Sequence, residues 1–99
     1  MRLKDKVALV TGASRGMGEV EARMFAEEGA KVVVTDITSR GRQIVSDIKW
    51  AGGDALFLTL DISNEKSWEK AVSRTVAKYG KLDVLVNNAG IGGPRNELV

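Results

Sequence analysis

Four short runs of apolar residues set the limits on what this chain can fold into: VALVT (Val7 to Thr11), KVVVTD (Lys31 to Asp36), ALFLTL (Ala55 to Leu60) and LDVLVN (Leu82 to Asn87). They are nearly continuous in apolar residues where a half-exposed strand would alternate, as strands covered on both faces require. The stretches between them repeat at helical spacing. Trp68, Ala71, Val72, Thr75, Val76 and Tyr79 form one stripe, with Ser63 or Asn64 as the cap and Gly80 as the stop. From Met17 to Glu28, Val20 and Met24, with Phe25 beside them, are expected to supply the buried face, and Gly29 ends the helix. Ile44, Val45 and Ile48 do the same from Ser39 to Trp50, closed by Gly52 and Gly53.

Strands alternating with helices predict an α/β fold, a Rossmann-type doubly wound parallel sheet. Right-handed crossovers put its strands in the order 3-2-1-4, with the first two helices on one face and the third on the other. At 99 residues the chain is expected to be a single domain, near the lower limit for a self-sufficient core. Hydrophobic residues at 43%, charged residues at 28% and a single proline predict a globular chain, neither disordered nor membrane-spanning. The absence of cysteine and histidine excludes disulfides, Cys or His zinc sites and a histidine base within these residues. The start, MRLKDKVALVTG, carries neither signal-peptide nor anchor features, so no membrane partner and a cytoplasmic location are expected. The net charge of +2 is spread along the chain with no basic cluster, which gives no support to a nucleic-acid partner.

Where the first apolar run meets the first helix stands TGASRGMG, Thr11 to Gly18. A helix N-terminus offers free N–H groups and the positive end of a dipole, so phosphates settle there when no side chain blocks them. Gly12 lets the chain turn off the strand, Gly16 allows close approach and Gly18 lets the helix pack on the sheet, leaving Ser14 and Arg15 to contact phosphate or ribose. Glycines gather in tight turns without any ligand as well, and the strand-turn-helix context is what favours a dinucleotide. Asp36, with Ile37 beside it, ends the second strand, where a carboxylate can accept from ribose hydroxyls and repel a 2'-phosphate; alone it is equally a turn former or cap. Asp61 and Ile62 follow the third strand, placed to flank an adenine, although Asp61 serves equally as a favourable charge near a helix start. After the fourth strand comes NNAG, Asn87 to Gly90, beside the topological switch point where open α/β sheets bind ligands.

TGASRGMG, Asp36, the Asp61 and Ile62 pair and NNAG, in this order and spacing, resemble the N-terminal half of a short-chain dehydrogenase/reductase. The resemblance covers essentially the whole chain and implies a NAD(P)-dependent oxidoreductase. Gly12, Ser14, Arg15, Gly16, Met17 and Gly18 would surround the pyrophosphate and ribose, Asp36 and Ile37 the adenosine ribose, and Asp61 and Ile62 the adenine. Asn88, Ala89 and Gly90 would support the cofactor and the sheet, with Asn88 tying neighbouring strands together. Asp36 favours NAD over NADP, against the opposing signal of Arg15, Arg40 and Arg42 near the ribose site.

The family's catalytic serine and Y-x-x-x-K pair have no counterpart here. The single tyrosine, Tyr79, is followed four residues later by Asp83 and falls on the buried stripe of the third helix. The fourth run, at Val84 to Val86, is expected to be an open apolar edge that invites self-association or a complementary C-terminal half. Two roles follow: the dinucleotide-binding half of a dehydrogenase acting on an alcohol or carbonyl, or a stand-alone nucleotide-binding module without catalysis.

Overall fold

The computed structural model describes residues 2–88 and 97–98. Strand β1 (Val7–Thr11) leads into helix α1 (Gly16–Glu27), then β2 (Lys31–Asp36), α2 (Gly41–Trp50), β3 (Asp54–Thr59), α3 (Glu65–Tyr79), β4 (Val84–Asn87) and the short β5 (Glu97–Leu98). The first two strands have the bounds their sequence predicts. β3 begins one residue earlier than its apolar run, and Leu82 and Asp83 stand ahead of β4.

The sheet order is β3-β2-β1-β4-β5. The first four strands run parallel, with Leu9 of β1 opposite Val33 of β2 on one side and Leu85 of β4 on the other. The order 3-2-1-4 is therefore correct, but the sheet does not stop at the fourth strand. β5 pairs antiparallel with β4, Leu98 opposite Val86 and Glu97 opposite Asn87, so the edge expected to be open is paired along its second half. Backbone hydrogen bonding to any available chain overrides the apolar pattern from which the open edge was inferred.

Two cores flank the sheet. Val10, Val32 and Val34 pack with Ala22 of α1 and with Ile44 and Ile48 of α2, while Leu9, Val33 and Leu58 pack with Ala71 of α3. This is the division of helices that right-handed crossovers require. Asn64 caps α3, its side chain accepting from the Ser67 amide at 3.1 Å, and Gly80 ends the helix at φ 85°. Thr75 is fully buried in α3, and its hydroxyl donates to the Ala71 carbonyl at 2.7 Å.

The buried face of α1 differs from the expectation. Val20 and Met24 are exposed at 55% and 57%, and the residues facing the sheet are Gly18 and Ala22, with Phe25 partly buried. A Cβ on Gly18 would fall 2.8 Å from the Gly12 carbonyl carbon, so the helix lies too close to the turn for large side chains there. Val76, at the margin of the α3 stripe, is likewise 42% exposed. Packing distance decides these positions more than hydrophobicity does.

Candidate functional site

The turn between β1 and α1 folds back over the carboxyl end of β2. Gly12 and Gly16 hold φ of 58° and 65°, conformations that cost a residue with a Cβ roughly 1–2 kcal/mol. The Ala13 amide donates to the Thr35 carbonyl at 3.1 Å, and the Ser14 amide to Asp36 Oδ2 at 3.2 Å. Asp36 also accepts from the Ile37 amide at 2.7 Å through its other oxygen. The turn is thus pinned to β2 through main-chain donors, and side chains on its outer surface remain open.

Arg15, the cap residue of α1, is extended, exposed and makes no side-chain capping bond. A Cβ built on Gly16 meets no atom within 4 Å. Met17 is 63% exposed and Ile37 is 66% exposed. Ser14 differs from its neighbours, because it is buried and its Oγ has no hydrogen-bond partner among the described residues. A buried hydroxyl left in that state costs about 1–3 kcal/mol.

At the neighbouring strand end, the Thr11 hydroxyl donates to Asn87 Oδ1 at 2.8 Å and accepts from the Asn88 amide at 2.9 Å. The Asn88 side-chain amide donates to the Glu21 carboxylate on α1. Asn88 thus joins the end of β4 to β1 through its main chain and to helix α1 through its side chain, where the sequence suggested a tie between strands alone. Thr11 and Glu21 escaped the sequence reading; no motif marks Glu21, and Thr11 is legible only as a polar residue ending an apolar strand. Ala89 and Gly90 lie outside the described residues.

Asp61 and Ile62 follow β3 as expected, but Asp61 is already engaged locally. Its Oδ1 accepts from the Ser63 hydroxyl at 2.6 Å and from the Ser63 amide at 3.0 Å, and these bonds hold its carboxyl below the ordinary aspartate range. The Ile62 carbonyl accepts from the Trp68 indole at 2.8 Å. Of the arginines expected near the ribose, Arg15, Arg40 and Arg42 are all exposed, and the Arg42 guanidinium lies 5.1 Å over the Phe57 ring.

Tyr79 is half-buried, and its hydroxyl donates to Asp54 Oδ1 at 3.0 Å. Burial first, and then the Asp54 carboxylate, push its phenol well above the ordinary tyrosine range. Its ring belongs to the core under α3, as the helical spacing predicted. Among the described residues no group of three or more His, Cys, Asp or Glu could hold a metal ion, and no helix is long and apolar enough to cross a membrane.

A parallel sheet of this order, with a glycine turn feeding the first helix and an aspartate ending the second strand, defines a Rossmann-like nucleotide-binding class. The model of the short chain dehydrogenase family matches residues 6–98, and the chain belongs to that family, whose members use NAD(P) cofactors. It is 47% identical over 94 residues to 2,5-dichloro-2,5-cyclohexadiene-1,4-diol dehydrogenase LinX of Sphingobium indicum, covering 94% of this chain and 38% of that protein. It is also 47% identical to the cyclopentanol dehydrogenase of Comamonas testosteroni, covering 91% of this chain and 36% of that one. The hydroxysteroid dehydrogenase of Escherichia coli superposes with a TM-score of 0.88 at 42% identity, over 95% of this chain and 40% of that one. The chain spans well under half the length of these relatives.

Proposed function

We propose that residues 1–99 are the dinucleotide-binding half of a NAD-dependent oxidoreductase acting on an alcohol or a carbonyl. The observation that carries this reading is the Ser14 hydroxyl, buried and without a hydrogen-bond partner among the described residues, beside the open surface of Gly16 and the Asp36 carboxylate. These groups suit a ligand with a pyrophosphate and a ribose. The α1 N-terminus and the Ser14 hydroxyl would donate to phosphate oxygens, with Gly12, Arg15, Met17 and Gly18 forming the surrounding turn. Asp36 would accept from the adenosine ribose hydroxyls next to Ile37, and its negative charge favours NAD over NADP. Asp61 and Ile62 would border the adenine, and Asn88, with Ala89 and Gly90 following it, would support the inner end of the site.

When bound, the nicotinamide supplies or accepts a hydride. The chain's own contribution is to hold and orient that group. Tyr79, donating to Asp54 inside the α3 contact, is not offered as the proton carrier. The 36–38% coverage of the relatives supports placing proton transfer and substrate recognition in a complementary C-terminal portion. A cytoplasmic setting, where these cofactors are held, belongs to the same proposal.

Calorimetric titration of the folded chain with NAD, NADP and ADP-ribose tests it. NAD and ADP-ribose should bind, NADP more weakly, and Ser14→Ala should weaken all of them without lowering stability. Absence of binding to a folded sample, or undiminished binding after Gly16→Val, would reject the proposal.

A further inference from the structure

On the side of the sheet remote from β4, the outer strand β3 has one long edge with no neighbouring strand among the described residues. The Leu60 amide, just past the strand, donates to the Asp36 carbonyl of β2 at 2.9 Å. Successive amides of an extended chain point to opposite sides, so those of Thr59 and Phe57 face outward. Two clefts open along this edge. One, of about 220 Å3, is lined by Arg42, Phe57, Thr59, Lys70 and Arg74; the other, of about 380 Å3, by Arg42, Ser46, Lys49 and Phe57 among others.

Neither lining contains a carboxylate. Among the described residues, none of Arg42, Lys49, Lys70 and Arg74 forms an ion pair; Arg42 instead lies over the Phe57 ring. Arg42 and Lys49 come from α2, and Lys70 and Arg74 from α3, helices that pack on opposite faces of the sheet. The free edge is thus flanked by two cations above and two below, with outward amides between them.

We propose that the β3 edge is a docking site for an extended acidic peptide that adds as a further strand. A strand places successive side chains on opposite faces, so neighbouring Glu or Asp residues would meet the α2 cations and the α3 cations in turn, while its carbonyls accept from the Phe57 and Thr59 amides. A second copy of this chain is the wrong occupant. Edge-to-edge pairing of two β3 strands would bring eight like charges together, and cations at an edge oppose self-pairing.

The test uses fluorescently labelled hexaglutamate, hexalysine and a hexaglutamate N-methylated at alternate residues, with anisotropy as the readout on the full chain. Hexaglutamate should bind and hexalysine should not. The N-methylated peptide, equally charged but short of strand donors, should bind at least about tenfold more weakly, and Arg42→Glu with Arg74→Glu should cost as much. Lys49→Glu with Lys70→Glu gives a second exposed pair, each variant being checked by far-UV circular dichroism. Amide resonances of Phe57 and Thr59 should shift on peptide addition. Equal binding of the N-methylated peptide would assign the cleft to charge alone, as for a free oxyanion, and overturn the strand-addition proposal. It would also be overturned by no binding of hexaglutamate, by binding indifferent to both charge reversals, or by dimerisation through β3 in its place.

Discussion

The Ser14 amide donates to the Asp36 carboxylate at 3.2 Å, so the residue proposed to select the cofactor also fastens the turn proposed to hold it. Removing the carboxylate has two separable consequences. Asp36→Ala should lower stability by about 1 kcal/mol, the usual worth of such a bond, and should weaken NAD by roughly tenfold while narrowing the preference over NADP. Thermal unfolding and paired titrations of NAD and NADP check it. An unchanged ratio of the two affinities would mean that Asp36 serves the turn alone.

The glycines of the turn should fail in different ways. Gly18 is packed against the Gly12 carbonyl, so Gly18→Ala should cost about 1–3 kcal/mol through overpacking and displace α1. Gly16 faces open space, and Gly16→Ala should cost only the strain of its φ of 65°, about 1–2 kcal/mol. Cofactor affinity should fall in both. Denaturant midpoints give the comparison, and equal loss of native α1 in both variants would contradict it.

Thr11 joins two strand-end groups that no motif connects. Its hydroxyl serves Asn87 and the Asn88 amide, so Thr11→Val keeps the volume yet removes both bonds. A loss of about 1–3 kcal/mol is expected from a buried site of this kind. Hydrogen exchange at Asn88 should accelerate, and exchange matching the parent would argue against the role assigned to Thr11.

Two titrations should shape stability at the extremes of pH. Asp83 accepts from the Val7 amide at 2.9 Å, and that bond, helped by Lys81, holds its carboxyl below the ordinary range. A lowered native pKa contributes stability above about pH 4 that is lost as the pH falls through the native value. Asp83→Asn should therefore flatten the acid limb of the stability profile. Tyr79 has the opposite sign: its raised pKa favours the fold below about pH 10 and that contribution is lost as the pH rises further. Tyr79→Phe should remove this alkaline dependence, and a profile identical to the parent at both ends would refute both assignments.

The strands, the helices and the turn were legible in the sequence because they depend on local pattern. VALVT and KVVVTD are strands at the bounds read from their apolar runs, and Asn64 and Gly80 bound α3 through capping chemistry that acts within a few residues. The glycine spacing likewise marked Gly12 as the turn off the strand, which holds φ of 58°, whereas the positive φ of Gly16 emerges only in the structure. What pattern could not decide was anything set by distance between elements. Val20 and Met24 have the spacing of a buried face, yet Gly18 lies against the Gly12 carbonyl and the fully buried residues of α1 are Gly18 and Ala22. The partner of Asn88 is Glu21, the carboxylate of Asp36 reaches Ser14, and β5 returns to pair with β4, all contacts between residues far apart in the chain. Local spacing fixes which residues can be helical or extended, whereas burial and pairing depend on how closely finished elements approach, and only the tertiary structure decides that.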